Sequence, residues 1–386
     1  MKKLIRITTV PISLEKLLED QLEFMSDYFE VIAVSSDKKR LEKYGEKAGI
    51  RTRHIEMTRT ISPLKDLVSL VKLIFFFLKE RPDIVHTHTP KAGTLGMLAA
   101  KIAGVKVRMH TVAGLPLLEV KGKKRKLLDI VEKITYKAAS KVYPNSFGLK
   151  AIIQENGYCD TSKLKVIGNG SSNGINTEYF DPKLFSEDDK IHLRKSLGIA
   201  KFDFVFIFVG RLVGDKGINE LINAFKSLSK TGQGKGVKLV LVGPLEEDLD
   251  PLEKETVREI ELNSNIISVG YQNDVSPYFS ISDALVFPSY REGFPNVLLQ
   301  AGAMGLPAIV SDINGCNEII MEGENGLIVP VKKVSELKTA MYSIYTDVEL
   351  CSTLKQNARA LIVDQYNRSY IHEKILEEYN TLLKNG

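Results

Sequence analysis

Residues 4–167 alternate short apolar runs with stretches of helical periodicity; the alternation lapses between Gly168 and about Asp189, then begins afresh at Phe204. Apolar strands separated by helices assemble into a parallel sheet covered on both faces, because each crossover must carry the chain back over the sheet. In the first half the strand candidates are Leu4–Val10, Phe29–Ser35, Asp83–His86, Val105–Thr111, Lys141–Pro144 and Lys165–Ile167. Helices such as Leu14–Met25, Leu64–Lys79, Lys124–Lys137 and Ser146–Glu155 separate them. The second half opens with Phe204–Val209 and the helix Ile218–Leu228, followed by strands Val237–Val242, Ile266–Val269, Ala284–Pro288, Ala308–Ser311 and Leu327–Val329. Two doubly wound α/β domains in tandem, residues 1–180 and 190–365, are expected, with a polar helical segment Tyr366–Leu383 closing the chain.

A chain of 386 residues suits two cores, and 44% hydrophobic with 26% charged residues is a globular composition. The three cysteines, Cys159, Cys316 and Cys351, are scattered and odd in number, which argues against a disulfide framework or a zinc knuckle and for a reducing cytoplasm. Charges interrupt the apolar start Met1–Thr8, so it reads as no secretory leader. The most apolar window, Leu67–Leu78, is broken by Lys72 and falls short of the roughly 20 residues a bilayer span needs. The net charge of +5 divides into +12 for residues 1–180 and −7 for 181–386, with the densest basic stretch at Lys121–Lys126. Such polarity is expected where one domain meets an anionic membrane surface.

The run Arg291-Glu292-Gly293-Phe294-Pro295-Asn296-Val297-Leu298-Leu299-Gln300-Ala301 follows the strand candidate Ala284–Pro288. Glu292 therefore stands at the carboxyl end of a strand, where open α/β sheets bind ligands. The amides of Phe294, Asn296 and Val297 open a helix, whose unpaired N–H groups attract anions. Glu292 has two ordinary alternatives, pairing with Arg291 or capping that helix. The loop Val209-Gly210-Arg211-Leu212-Val213-Gly214-Asp215-Lys216-Gly217 sets an arginine and a lysine five residues apart between a strand and a helix, enough to clamp a diphosphate or to form a solvated basic turn.

These two segments resemble the retaining GT-B glycosyltransferases of the family-4 type, in which a Glu, seven residues and a second Glu bracket the nucleotide sugar. Here the second position is Gln300, about two helical turns beyond Glu292 and expected on the same helix face. The likeness spans nearly the whole chain in layout and is specific in residues 209–217 and 284–312. It implies two Rossmann-like domains facing across a cleft, the last helix (366–386) crossing back to the first. It implies a donor held by Gly210, Arg211, Lys216, Glu292, Gly293, Phe294, Pro295, Asn296, Val297 and Gln300, with Glu292 taking hydroxyls of the transferred sugar. His110, at the end of its strand in Arg108–Pro116, is implied to contact sugar or acceptor near the reacting centre; a packed surface histidine is the alternative. Glu292, His110, Arg211 and Lys216 form the expected catalytic set.

Other motifs compete with this reading. His86 and His88 stand at strand spacing, but zinc needs a third protein ligand and none is recognisable, so a loop lining an acceptor site through His88 and Lys91 is preferred. Asp248-Leu249-Asp250 imitates a metal-binding DxD, yet Pro251 makes Asp250 a natural helix N-cap. Gly168–Gly174 lacks the following helix of a dinucleotide fingerprint and reads as a hinge or cleft loop. The first strand's loop, Thr9–Ser13, lacks the paired glycines frequent in the family and suggests an acceptor role for Ser13.

The expected activity is transfer of a sugar from a nucleoside-diphosphate sugar, a UDP-sugar first, to a lipid-linked or saccharide acceptor in bacterial capsule, exopolysaccharide or lipopolysaccharide synthesis. No cofactor, metal or nucleic acid is implied. The expected place is the cytoplasm, peripheral at the inner face of the cell membrane. A GT-B-fold sugar-nucleotide epimerase and a non-catalytic two-domain sugar-binding protein are the rival classes; release of nucleoside diphosphate only when acceptor is added separates them.

Overall fold

The computed structural model describes residues 1–386 except 59, 61, 116, 118, 119, 231–235, 247–249 and 385–386. Two compact units emerge: unit 1 comprises Met1–Gly174 and Arg368–Gly386, unit 2 Ile175–Asn367.

Unit 1 is a parallel six-stranded sheet of β1 (Lys2–Ile7), β2 (Phe29–Ser35), β3 (Arg51–His54), β4 (Ile84–His88), β5 (Val107–Val112) and β6 (Lys141–Pro144), in the order β3-β2-β1-β4-β5-β6. Its helices are α1 (Pro11–Ser13), α2 (Gln21–Ser26), α3 (Lys38–Ala48), α4 (Pro63–Glu80), α5 (Pro90–Ile102), α6 (Gly122–Ala138) and α7 (Phe147–Glu155). One apolar cluster joins Leu73 and Phe77 of α4, Ala92 and Met97 of α5 and Tyr136 of α6 to Ile5, Val34 and Val85 of the sheet. The opposite cluster joins Leu22, Met25 and Leu41 to Leu4, Val31 and Met109. Each strand of the sheet centre is thus buried on both faces, which is why these strands read as unbroken apolar runs.

Unit 2 repeats the plan with α8 (Glu187–Ser196), β7 (Phe204–Val209), α9 (Ile218–Lys230), β8 (Val237–Val242), α10 (Lys254–Leu262), β9 (Ile266–Gly270), α11 (Ser276–Ser280), β10 (Ala284–Phe287), α12 (Asn296–Ala303), β11 (Ala308–Ser311), α13 (Cys316–Ile319), β12 (Gly326–Val329), α14 (Val334–Thr346) and α15 (Val348–Tyr366). The strand order is β12-β11-β10-β7-β8-β9. Consecutive strands step one way from β7 and the other way from β10, so the loops after these two strands flank the topological switch point, the usual ligand crevice of an open parallel sheet.

Three expectations are revised. The strand β3, of sequence Arg-Thr-Arg-His, lies at the sheet edge, mostly exposed, and carries no apolar alternation to betray it. The expected helix Leu14–Met25 is broken: Leu14–Leu18 forms a wide turn, Glu19 takes φ 45°, and α2 begins at Gln21. Lys165–Ile167 is not a strand, although Leu164 bridges Val142 of β6. The closing segment, by contrast, is the single helix α16 (Arg368–Lys384) within unit 1, set off from α15 at Asn367, which bridges Ile175.

Candidate active site

The carboxyl edge of the unit 2 sheet is built by backbone packing. Gly217, at φ 70°, ends the loop after β7, and a Cβ there would lie 2.1 Å from the carbonyl oxygen of Pro288 in the loop after β10. A Cβ on Gly243, after β8, would lie 1.8 Å from the carbonyl oxygen of Gly210. Only glycine permits these approaches, and they draw three loops from distant sequence into one rim.

Two opposite charges meet there. Lys216 Nζ lies 2.5 Å from Glu292 Oε1, with side chains only 17% and 15% exposed. Ser289 Oγ donates to the same carboxylate oxygen at 2.9 Å, and Asn314 Nδ2 donates to the Glu292 carbonyl at 2.7 Å. The carboxylate is thereby aimed by groups from the loops after β7, β10 and β11. Neither sequence alternative for Glu292 is realised: Arg291 pairs with Asp215 at 2.8 Å, and α12 starts four residues later. Cys316, behind this pair, is fully buried; burial, then the Glu292 charge, pushes its thiol pKa far up, which disqualifies it as a thiolate nucleophile.

Arg211 is more open, 44% exposed, and lies 3.0 Å from Glu246. Each cation of the expected diphosphate clamp is therefore held by its own carboxylate. Helix α12 begins at Asn296 after Pro295, with no side-chain cap, and its third amide, Leu298 N–H, bonds the Pro295 carbonyl at 3.1 Å. The Asn296 and Val297 amides precede the first intrahelical acceptor, as expected of a helix start. Phe294 contributes backbone at this edge while its ring is buried 5.6 Å from the ring of Tyr366. The expected shared helix face of Glu292 and Gln300 does not hold, because Pro295 is extended (ψ 112°) and leaves Glu292 outside the helix, with Gln300 its fifth residue. Asp250 is not an N-cap either. Its carboxylate accepts the Asp215 amide at 2.6 Å, and α10 is preceded by Glu253. Asp248 and Leu249 lie outside the described residues, and among those described no group of three or more His, Cys, Asp or Glu could hold a metal.

The expected residues of unit 1 are mostly enclosed. His110 is buried 3% exposed, its Nδ1 2.8 Å from Thr87 Oγ1, and its ring fills the space a Cβ on Gly93 would enter. Burial lowers its pKa to about 4, so the ring is neutral and packed more deeply than the surface histidine weighed as the alternative to a catalytic role. His88, proposed for acceptor binding, is also corrected: Arg6 Nη2 lies 2.7 Å from its Nε2, beneath the sheet edge. A guanidinium only donates, so that nitrogen carries a lone pair and the imidazole is neutral. Arg6 Nη1 donates to Tyr379 Oη of α16, whose hydroxyl faces His86 Nδ1, each at 2.7 Å. Lys91 is tied to Asp66 at 2.5 Å. Ser13 is half-buried in the α1 turn, its amide bonded to the Val10 carbonyl. Sequence reasoning missed Ser289, Asn314 and the Arg6 network; a serine before and an asparagine after the Glu292 run carry no local signal of their role.

A model of glycosyl transferases group 1 matches residues 189–361, and one of a glycosyl transferase 4-like domain matches 25–170. The chain is 34% identical over 384 residues to the capsular polysaccharide biosynthesis glycosyltransferase CapM of Staphylococcus aureus, covering 99% of this chain and 98% of that protein. It is 32% identical over 330 residues to the UDP-Gal:α-D-GlcNAc-diphosphoundecaprenol α-1,3-galactosyltransferase of Escherichia coli, covering 85% and 83%. Among solved structures, Anabaena HepE in complex with UDP superposes with a TM-score of 0.82 at 21% identity, covering 99% of this chain and all of that one. With its two six-stranded parallel sheets and a relative matched end to end, the chain belongs to the group 1, family-4-like glycosyltransferases of the GT-B fold.

Proposed function

We propose that this glycosyltransferase moves a sugar from a UDP-sugar to a lipid-diphosphate-linked saccharide, with retention at the anomeric carbon, during bacterial surface polysaccharide assembly at the cytoplasmic face of an anionic membrane. The observation that carries the reading is the Lys216–Glu292 pair at the switch point of unit 2. The likeness to CapM and to a galactosyltransferase acting on diphosphoundecaprenol-linked GlcNAc supports the pathway and acceptor class. UDP bound to HepE supports the nucleotide.

In this reading unit 2 takes the donor and unit 1 the acceptor. Lys216 leaves Glu292 for the diphosphate, and the freed carboxylate accepts hydroxyls of the transferred sugar. Arg211 makes the same exchange from Glu246. The Asn296 and Val297 amides complete a cationic cradle for the charge that develops as the glycosidic oxygen departs. A phosphate oxygen of the donor draws the acceptor proton in front-side attack, so no protein nucleophile is assigned.

A panel of UDP-sugars, incubated with and without a polyprenyl-diphosphate saccharide, tests this. UDP should appear only when donor and acceptor are both present, and the product should keep the donor's anomeric configuration by NMR. Conversion of a nucleotide sugar without acceptor would identify an epimerase; donor binding without turnover under any acceptor would leave a sugar-binding protein.

A further inference from the structure

The outer surface of the layer formed by α4, α5 and α6 is unlike that of a water-facing helix layer. A surface helix is expected to be polar on its outer side, but α4 carries large apolar side chains on its outer side as well as its inner one. Its inner side sends Leu73, Phe76 and Phe77 into the core, while Leu64 (82% exposed), Leu67, Val68, Val71, Phe75 (67%) and Leu78 form an outward stripe. On the other side of the mostly buried α5 in the same layer, α6 exposes Leu127, Ile130 (55%) and Ile134.

The charges around these stripes have one sign. Every exposed position of α4 is Pro, Leu, Val, Phe or Lys, and every exposed position of α6 after Gly122 is Lys, Leu or Ile. The acids of both helices are withdrawn: Asp66 is paired with Lys91, Glu80 with Lys3, and Asp129 with Arg125, while Glu132 is buried. A surface of lysines and aliphatic side chains without exposed acid fits the boundary between anionic headgroups and acyl chains. It does not fit a second copy of itself, because a twofold contact would set lysines against lysines with no acid to meet them.

We infer that α4 and α6 form a membrane-docking face in which the α4 stripe inserts into the acyl boundary of an anionic leaflet while the lysines of both helices hold its phosphates. The inference rests on the lipid-linked acceptor reading and adds the surface and the mode of binding. At 18 residues, α4 is about 27 Å long and would lie in the membrane plane. Among the described residues no helix is long and apolar enough to cross.

The chain contains no tryptophan, so Phe75→Trp supplies a single fluorescent reporter on the stripe. On phosphatidylglycerol-containing vesicles its emission should shift to the blue and be quenched by brominated acyl chains, with neither effect on phosphatidylcholine vesicles. A Leu67→Gln/Phe75→Gln variant, folded by circular dichroism, should bind these vesicles roughly tenfold more weakly or worse, and each lysine-to-glutamine change on α6 should cost about fivefold. Vesicle sedimentation without quenching of the tryptophan would overturn insertion while leaving membrane binding intact. Failure to sediment at all would overturn both. A blue shift that grows with protein concentration in the absence of lipid would assign the face to a second copy and overturn the inference.

Discussion

Unit 2 encloses, among its described residues, only apolar side chains and small neutral polar ones such as Ser289, Ser311 and Asn325, whereas unit 1 encloses Arg6, His86, His88, His110, His372, Glu132 and Glu378. Both are six-stranded parallel sheets with the same strand logic. In unit 2 the charged groups stand on the rim in pairs that share a loop edge, Lys216 with Glu292, Arg211 with Glu246 and Arg291 with Asp215, where the proposed function has Lys216 and Arg211 exchange their partners for the donor. In unit 1 they are locked under the sheet, where Arg6, Gln21, Asn173, His372 and Tyr379 join β1, α2, the segment before Gly174 and α16. The difference teaches that burial separates ionisable side chains tied into the architecture, as in unit 1, from those on a rim open to a ligand, as in unit 2.

The largest effect that could break this distinction comes from Lys216→Ala. It should lower kcat/KM about 10²- to 10³-fold while leaving the unfolding midpoint nearly in place; steady-state kinetics beside a denaturant melt decides. A large loss of stability with proportionate loss of activity would make the pair structural and erase the contrast.

Acid should act in the opposite sense. Burial holds the His110 and His372 pKa values near 4, and His86 and His88 lower than an ordinary imidazole. The unfolded chain protonates these groups near pH 6.5, so it binds more protons than the native state, and stability falls as pH drops from about 6.5 toward 4. His110 alone is worth of order 3 kcal/mol over that window. Hydrogen exchange at pH 7.5 and 5 should show β4 and β5 losing protection while β7 and β8 hold theirs; equal losses in both sheets would refute the assignment.

Smaller changes sharpen the comparison. Arg211→Ala, at a half-exposed position, should weaken nucleoside diphosphate binding about tenfold by calorimetry, and unchanged binding would remove it from the clamp. Gln300→Ala should raise the donor KM only about two- to fivefold with kcat unchanged, the mark of lost uniform binding. Wild-type KM would place Gln300 outside the site.

Legibility in the sequence followed the same division. Strands buried on both faces, such as Phe204–Val209 and Val237–Val242, match their expected limits because continuous apolar runs of that length have few other uses. The edge strand Arg51–His54 escaped notice because edge exposure lets its side chains be charged. The start of the closing helix was legible to within two residues, whereas the contact that fixes Asn367 there was not, since its side chain donates to Thr177 Oγ1 at 2.7 Å, 190 residues away. At the rim, the residue types of Arg211, Lys216 and Glu292 stood out, but their partners did not: Lys216 and Glu292 are 76 residues apart, and the close backbone approach at Gly217 that helps join their loops has no local signal. The depth of His88 and His110 was not legible, because a strand end says where a residue sits along the sheet and leaves open how deep its side chain is packed.

Tyr379, Ile371 and Ile375 belong to the same buried cluster as Leu4 and Phe29, so the layer of unit 1 that begins with the first strand is finished by the last helix. Unit 2, by contrast, is continuous from Ile175 to Asn367. On the ribosome the usual order of maturation is therefore reversed. At about 5–20 residues per second, synthesis of unit 2 occupies roughly 10–40 s, during which the first sheet waits with one face only partly covered, by α2 and α3. Unit 2 can close before unit 1, and a nascent chain cut short before α16 would leave the exposed sheet to chaperones or to aggregation.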